Sequence, residues 1–354
     1  MTSAKSLLYQ YNEVSTLASS LNLQPEFMNY FQRTIVVLVN RIFLCALIGL
    51  FGIVANVINI RVFLSQGLNN SVNICFLAVA FTDLFRIVTV QWMNVCSNPL
   101  IDQLNAPIIF QDIQYLTGGW PHACAIRITI GITAYITAER CLCILLPLKI
   151  KTLITPKRTS FILLLIYLFN FLALVPEYAT VYFDWRFNLE NNKTLLGLAF
   201  RENRPAVQGL AFMFHGTISM ISLIAVIAFT SVLVVKLKVN SKWRKSAVNL
   251  NLTQTDLISN RDKNAIALVV TVATVLIICY TPIVIFSLVS TIVPDFSVSG
   301  RQANLFHATW SFGFLFSTFN ASINIFLYYK MSSKYRKHFH SIFLDCCFSF
   351  KPLD

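Results

Sequence analysis

The chain has 354 residues, of which 56% are hydrophobic and only 12% charged, against about a quarter charged in soluble domains. With a mean hydropathy of +0.65, this is the composition of a membrane protein. Of nine Cys, six (Cys45, Cys75, Cys124, Cys141, Cys143, Cys279) stand in or beside apolar stretches with no CxxC pair, which excludes a disulfide scaffold or a zinc module.

Residues 1 to about 34 are polar and lack the positive-then-apolar start and small-residue cleavage site of a signal peptide, so the first span is expected to export this tail. Seven apolar stretches follow, at 38–64, 72–95, 113–145, 159–177, 205–235, 264–290 and 303–329, each reaching or approaching the ~20 residues that cross a bilayer. The third is interrupted by Gly118-Gly119-Trp120-Pro121 and carries Arg127. The expected organisation is an extracellular tail (1–37), a membrane bundle (38–329) and a cytoplasmic segment (330–354).

Charge sets the orientation. With the N-terminus outside, the inner side holds 18 Lys and Arg against five acids, and the outer side eight against nine. The excess behind the net charge of +13 therefore faces the cytoplasm, which favours anionic lipid over nucleic acid as its partner. The largest outer loop, 178–204, carries the sequon Asn192-Lys193-Thr194, an expected glycosylation site.

Polar residues inside the spans are few, and each needs a protein partner. Gly52 and Asn56 share one face of span one; Asp83 and, one turn on, Arg86 lie in span two; Glu139 and Arg140 end span three, before Pro147-Leu148. Span six contains Cys279-Tyr280-Thr281-Pro282, whose proline removes a helical hydrogen bond and predicts a bend. Span seven carries Asn320, Ser322, Asn324 and Tyr328. Beyond it, Tyr335, Phe339, Ile342 and Phe343 recur at helical spacing among bases, which predicts a helix lying in the inner interface, followed by Cys346-Cys347 as palmitoylation candidates.

The pattern acid-Arg-x6-Pro-Leu at Glu139, Arg140, Pro147 and Leu148, with Asn56, Asp83, Pro282, Asn324 and Tyr328, resembles the rhodopsin-like G-protein-coupled receptors over about 38–343. Phrases such as Gly119-Trp-Pro-His-Ala-Cys124 and Tyr328-Tyr-Lys-Met-Ser-Ser-Lys-Tyr-Arg336 resemble an invertebrate, molluscan-type chemosensory branch near FMRFamide-type peptide receptors. The resemblance implies that Arg140 gates a cleft for a heterotrimeric G protein and that Leu148 anchors it. It further implies that Asp262 locks Arg140, with a solvated Arg-Asp-Lys run as the alternative. No cofactor is expected beyond a sodium ion, which the resemblance places at Asp83, Thr129, Asn320 and Asn324. Arg86 competes with it for the carboxylate.

Departures from the family pattern are Cys141 for Tyr, Tyr280 for Trp and Ile325 for Pro, and no Cys between 143 and 279 for the usual outer disulfide. The resemblance puts ligand recognition in the outer half. His122 takes the place of an amine-binding Asp and Thr318 that of a retinal-binding Lys, which disfavours amine and light. The expected pocket is aromatic and basic: Trp92, Trp120, His122, Tyr280, His307, Trp310 and Phe314, with Arg86 and Arg127 deeper, suited to an anionic or amide-rich small molecule or a peptide. The alternative for Arg86 is internal pairing with Asp83, and for Arg127 contacts with carbonyls. The sequence thus reads as an all-α, seven-helix plasma-membrane receptor with a short cytoplasmic amphipathic helix. A transporter or channel, or a receptor-like protein that does not couple, is the rival. No catalytic motif is present and no enzyme is expected.

Overall fold

The computed structural model describes residues 26–102, 104–146, 154–188, 192–247, 260–297 and 300–343. Seven long helices form a closed bundle: α1 (Tyr30–Ser65), α2 (Ser71–Cys96), α3 (Phe110–Leu145), α4 (Pro156–Thr180), α5 (Arg204–Ala247), α6 (Asn260–Ile292) and α7 (Ala303–Met331). A short α8 (Ser333–Phe343) follows. Helix α3 runs through the middle, touching α2, α4, α5 and α6, while α7 closes the ring against α1, α2 and α6.

Local chemistry sets the ends. Asn29 caps α1 in a reciprocal box with Gln32, Asn70 caps α2 by accepting from the Val72 amide, and Thr155 caps α4 ahead of Pro156. Helix α1 starts at Tyr30, inside the segment expected to be tail. Helix α3 does not break at Gly118-Gly119. The chain widens into a π-helical turn (Tyr115–Gly119) and resumes at Trp120, just before Pro121, which has no N–H to give to the turn before it. A Cβ on Gly118 would stand 2.6 Å from Met93 Cγ, so glycine is what lets α3 close on α2 there.

Six of the long helices are apolar enough to span a membrane by length and composition; α7 is the exception. Its Ser311, Ser317, Thr318, Asn320, Ser322 and Asn324 are all buried, so its polarity is turned inward to the bundle. Outward faces are the reverse of a soluble protein: Phe161, Leu164, Leu168 and Phe169 of α4 and Ile221 and Ile224 of α5 are exposed, as lipid requires.

The α4–α5 loop, on the side of the bundle where α1 begins (called outer below), holds an element not expected from the sequence, an antiparallel hairpin of β1 (Val181–Asn188) and β2 (Lys193–Phe200). Asn192 is exposed at its turn with φ 48°, a conformation that Asn tolerates. With no disulfide among the described cysteines, hydrogen bonds hold this hairpin to the start of α3. Ile109 N donates to Leu196 O (2.9 Å), Leu196 N to Pro107 O (2.9 Å), and Leu198 N to Asp112 Oδ2 (2.9 Å). A buried ion pair, Arg204 to Glu177 (2.7 Å), adds to them, with the Tyr115 hydroxyl bonded to both partners (2.9 and 2.7 Å). It joins α3, α4 and α5 near their outer ends.

At the opposite end the expected helix forms as α8. Tyr335 is fully buried and donates to Asn59 Oδ1 (2.6 Å), and its ring packs on Phe63, Tyr328 and Phe339.

Candidate functional site

Two cavities and the polar core between them lie on the bundle's long axis. The outer cavity, about 240 Å³, is enclosed by α2, α3, α5, α6 and α7. His122 of α3, Tyr280 of α6 and Trp310 and Phe314 of α7 line it, as the sequence predicts, and His215 of α5 joins them. Its walls are otherwise mostly aliphatic, and no Asp, Glu, Lys or Arg is among its lining residues.

Several expected pocket residues lie elsewhere. Trp92 is 37% exposed and donates to Thr117 Oγ1 (2.7 Å), because its position on α2 points away from the bundle axis. Trp120 is buried in the core, edge-on to Tyr115 and His215. His307 packs against Phe306, outside the cavity lining. Arg127 is 1% exposed and directed at α4 and α5: Nε and Nη2 donate to Asn170 Oδ1 (3.0 Å) and O (3.3 Å), and Nη1 to His215 Nδ1 (2.6 Å). The carbonyl alternative holds for it. His215 and the outer half of α5 went unnoticed in the sequence, although a lone histidine in an apolar span was a signal.

Beneath the cavity floor sits the polar core. Asp83 is completely buried and receives three groups: Arg86 Nη2 (3.0 Å) on Oδ1, Thr129 Oγ1 (3.3 Å) on Oδ1, and Asn324 Nδ2 (2.9 Å) on Oδ2. Arg86 also donates from Nη1 to the Tyr280 hydroxyl and from Nη2 to Asn320 Oδ1 (3.2 Å). Its backbone carbonyl accepts from His122 Nδ1 (3.2 Å). So α2, α6 and α7 meet at one guanidinium, α3 joins through the Arg86 carbonyl and through Asp83, and two of these partners, His122 and Tyr280, line the cavity.

These residues do not fit the sodium ion that the receptor resemblance implies. Arg86 already neutralises the carboxylate, and Asn320, an expected ligand, is turned to the guanidinium. The i+3 spacing on α2 decides this, since it places Arg86 on the same face as Asp83. Asn56 behaves as predicted, donating to Gly52 O and to Ala321 O of α7 (both 2.9 Å).

The inner cavity, about 720 Å³, is lined by Arg140 of α3, Asn73, Leu268, Tyr328, Lys334 and Tyr335. Arg140 pairs with its neighbour Glu139 (2.5 Å), whose carboxylate is buried. Tyr328 is buried among Phe63, Phe76 and Tyr335, with its hydroxyl unpartnered. Pro282 lies within α6, below the cavity residues Ile283 and Val284 in sequence. Pro147, Leu148, Cys346 and Cys347 lie outside the described residues, as does the side chain of Asp262.

The bundle thus holds an outer cavity, a buried polar core and an inner cleft edged by Arg140. No curated protein matches the chain. A model for serpentine-type 7TM GPCR chemoreceptors, the Srw family, matches residues 43–346, which takes in all seven helices but for the first turns of α1, and α8 as well. On that match over most of its length, the chain belongs to the Srw family of serpentine 7TM G-protein-coupled chemoreceptors.

Proposed function

We propose that this receptor sits in the plasma membrane with its N-terminus outside and works by the rhodopsin-like arrangement its motifs resemble. A ligand enters the outer cavity, and the signal passes through the Arg86 core to the inner cleft, where a heterotrimeric G protein binds. The invertebrate chemosensory branch fits this reading; a peptide ligand fits it less well, given a cavity of about 240 Å³.

One observation carries the proposal: Arg86 is bonded to His122 and Tyr280, which face the ligand, and to Asp83 and Asn320, which face inward. A ligand that prefers one placement of Tyr280 or His122 shifts the population of core arrangements, and one without such preference shifts nothing. Asn324, bonded to Asp83, and Tyr328, one turn further on, extend the core toward Arg140. In this scheme Pro282 is the hinge of α6, Glu139 holds Arg140 at rest, Asp262 is a second restraint on Arg140, and Pro147-Leu148 is the G-protein anchor.

The rest of the chain serves that role. The tail ahead of Tyr30 is extracellular, the helices from Tyr30 to Met331 are the bundle, and the basic segment after them lies on anionic lipid. Cys346 and Cys347 are acylated there, and Asn192, exposed at the tip of the β1–β2 hairpin, carries the glycan.

The test is guanine-nucleotide exchange on a promiscuous G protein in cells expressing the chain, run beside Arg140→Ala. Exchange above that of untransfected cells, reduced at least tenfold in the variant at equal surface expression, supports coupling through Arg140. Exchange equal in both would refute the role of that arginine.

A further inference from the structure

The polar groups that the outer cavity leaves open say what chemistry it takes. Its lining has no charged side chain, so a buried ammonium or carboxylate would meet no counter-ion, and unpaired burial of an ion is costly. Most of its hydroxyls are spent: Ser219 and Thr291 bond back to their own helices (2.8 Å to His215 O, 2.9 Å to Ser287 O), and the Tyr280 hydroxyl takes Arg86. Three buried groups remain: the Ser317 hydroxyl, beside Tyr280, and the two that follow. His122 is 4% exposed and its Nε2 has no partner. Trp310 Nε1–H is shielded from solvent and also has none.

Their roles are complementary. The Arg86 carbonyl can only accept, so Nδ1 of His122 carries a proton, and in the neutral ring Nε2 is left as an acceptor. The indole N–H is a donor only. Buried polar groups are ordinarily satisfied, so an open acceptor and an open donor on residues that line one apolar cavity point to where a ligand's polar head belongs.

Resting on the reading of this cavity as the ligand site, we propose that the receptor takes an uncharged, mainly apolar small molecule whose single polar head both donates and accepts a hydrogen bond. An alcohol or primary amide has that head. At about 240 Å³ the cavity is at the small end of ligand pockets, so the ligand is a small molecule. The head donates to His122 Nε2 and accepts from Trp310 Nε1–H. The aliphatic body lies along Ile126, Ile283 and Val284.

Probes with one chain and different heads test this: 1-octanol, octanamide, octane, octylamine and octanoate, titrated against the thermal midpoint of the full chain in nanodiscs. Octanol and octanamide are expected to bind at least about tenfold more tightly than the ionic probes or octane. Trp310→Phe and His122→Phe should each weaken octanol and octanamide about 2- to 12-fold and leave octane unchanged. Should either variant not fold, Ile283→Trp, which fills the cavity from α6, should abolish binding of both. Tighter binding of octylamine or octanoate, no saturable binding of octanol or octanamide, or equal losses for octanol and octane would each overturn the proposal. Binding is read on the receptor alone, so failed coupling with intact octanol binding would count against the receptor scheme and not the ligand class. Exchange driven by an ionic probe alone would do the opposite.

Discussion

Arg86 and Arg127 are both arginines within the hydrocarbon span and both about 1% exposed, yet they sit in opposite electrostatic settings. Arg86 has a buried carboxylate at 3.0 Å and links four helices. Arg127 has no carboxylate partner among the described residues; a side-chain amide, a backbone carbonyl and an imidazole nitrogen receive its protons. The first is a charge held in a network, and its geometry is fixed from several directions at once. The second is a charge held by dipoles, which ties α3 to α4 and α5 and leaves the ion incompletely compensated. Position in the membrane alone therefore says little about what an arginine does. The difference lies in whether an acid shares its helical face, as Asp83 does for Arg86 and nothing does for Arg127.

The largest effect is expected where the network is broken. Asp83→Ala strands the Arg86 guanidinium without its counter-ion and removes the acceptor of Thr129 and Asn324. Removing one partner of a buried pair costs about 3–5 kcal/mol. A thermal midpoint in nanodiscs close to wild type would show that Arg86 does not depend on Asp83, and the contrast between the arginines would collapse. Asp83→Ala with Arg86→Met removes both charges and should recover most of the loss.

Asn170→Ala probes the other side at intermediate size. It deletes the Oδ1 acceptor of Arg127 Nε and the donor that bonds Ile166 O, while the Asn170 carbonyl stays. Loss of a hydrogen bond to a charged group costs about 1.5–3 kcal/mol. Asn170→Asp sharpens the point by supplying the missing carboxylate, and should raise the thermal midpoint relative to Asn170→Ala. A midpoint no higher than that of Asn170→Ala would mean that Arg127 gains nothing from an acid.

Much of this frame was legible in the residues because membrane constraints act on short-range pattern. Length and hydropathy located the spans, i+3 spacing paired Asp83 with Arg86, and amphipathic spacing placed α8 with Tyr335 inward. The match of Asn324 to Asp83, by contrast, came through family resemblance, since nothing local joins residues 241 apart. The hairpin is hard to see in the sequence because Asp184 and Arg186 interrupt the β-forming Tyr182, Phe183, Trp185 and Phe187. Chemical type alone places Trp92, Trp120 and His307 in the cavity, but rotation about each helix axis decides which residues face it, and a near-continuous apolar sequence encodes that rotation weakly. His215 was hidden for the same reason. Its role depends on Arg127 arriving from another helix.

The smallest effect makes the sharpest test of the comparison. Arg127→Met keeps a long, flexible side chain in the space between α3, α4 and α5 but removes the charge. What is lost is a set of hydrogen bonds to Asn170 and His215; what is relieved is the desolvation of a cation that no acid offsets. Replacing buried ionic groups by apolar ones of similar volume is often neutral or stabilising, by contrast with stranding one member of a pair. The Arg127→Met midpoint should accordingly lie within about 1 kcal/mol of wild type, the two changes nearly cancelling. Arg86→Met alone should fall well below it, because that change leaves Asp83 buried with its charge uncompensated. If both Met variants lose stability equally, dipoles compensate a buried guanidinium as well as a carboxylate does, and Arg127 belongs with Arg86 in the structural frame. If Arg127→Met is neutral in stability but alters exchange, the retained charge serves signalling, acting on the ligand cavity through His215.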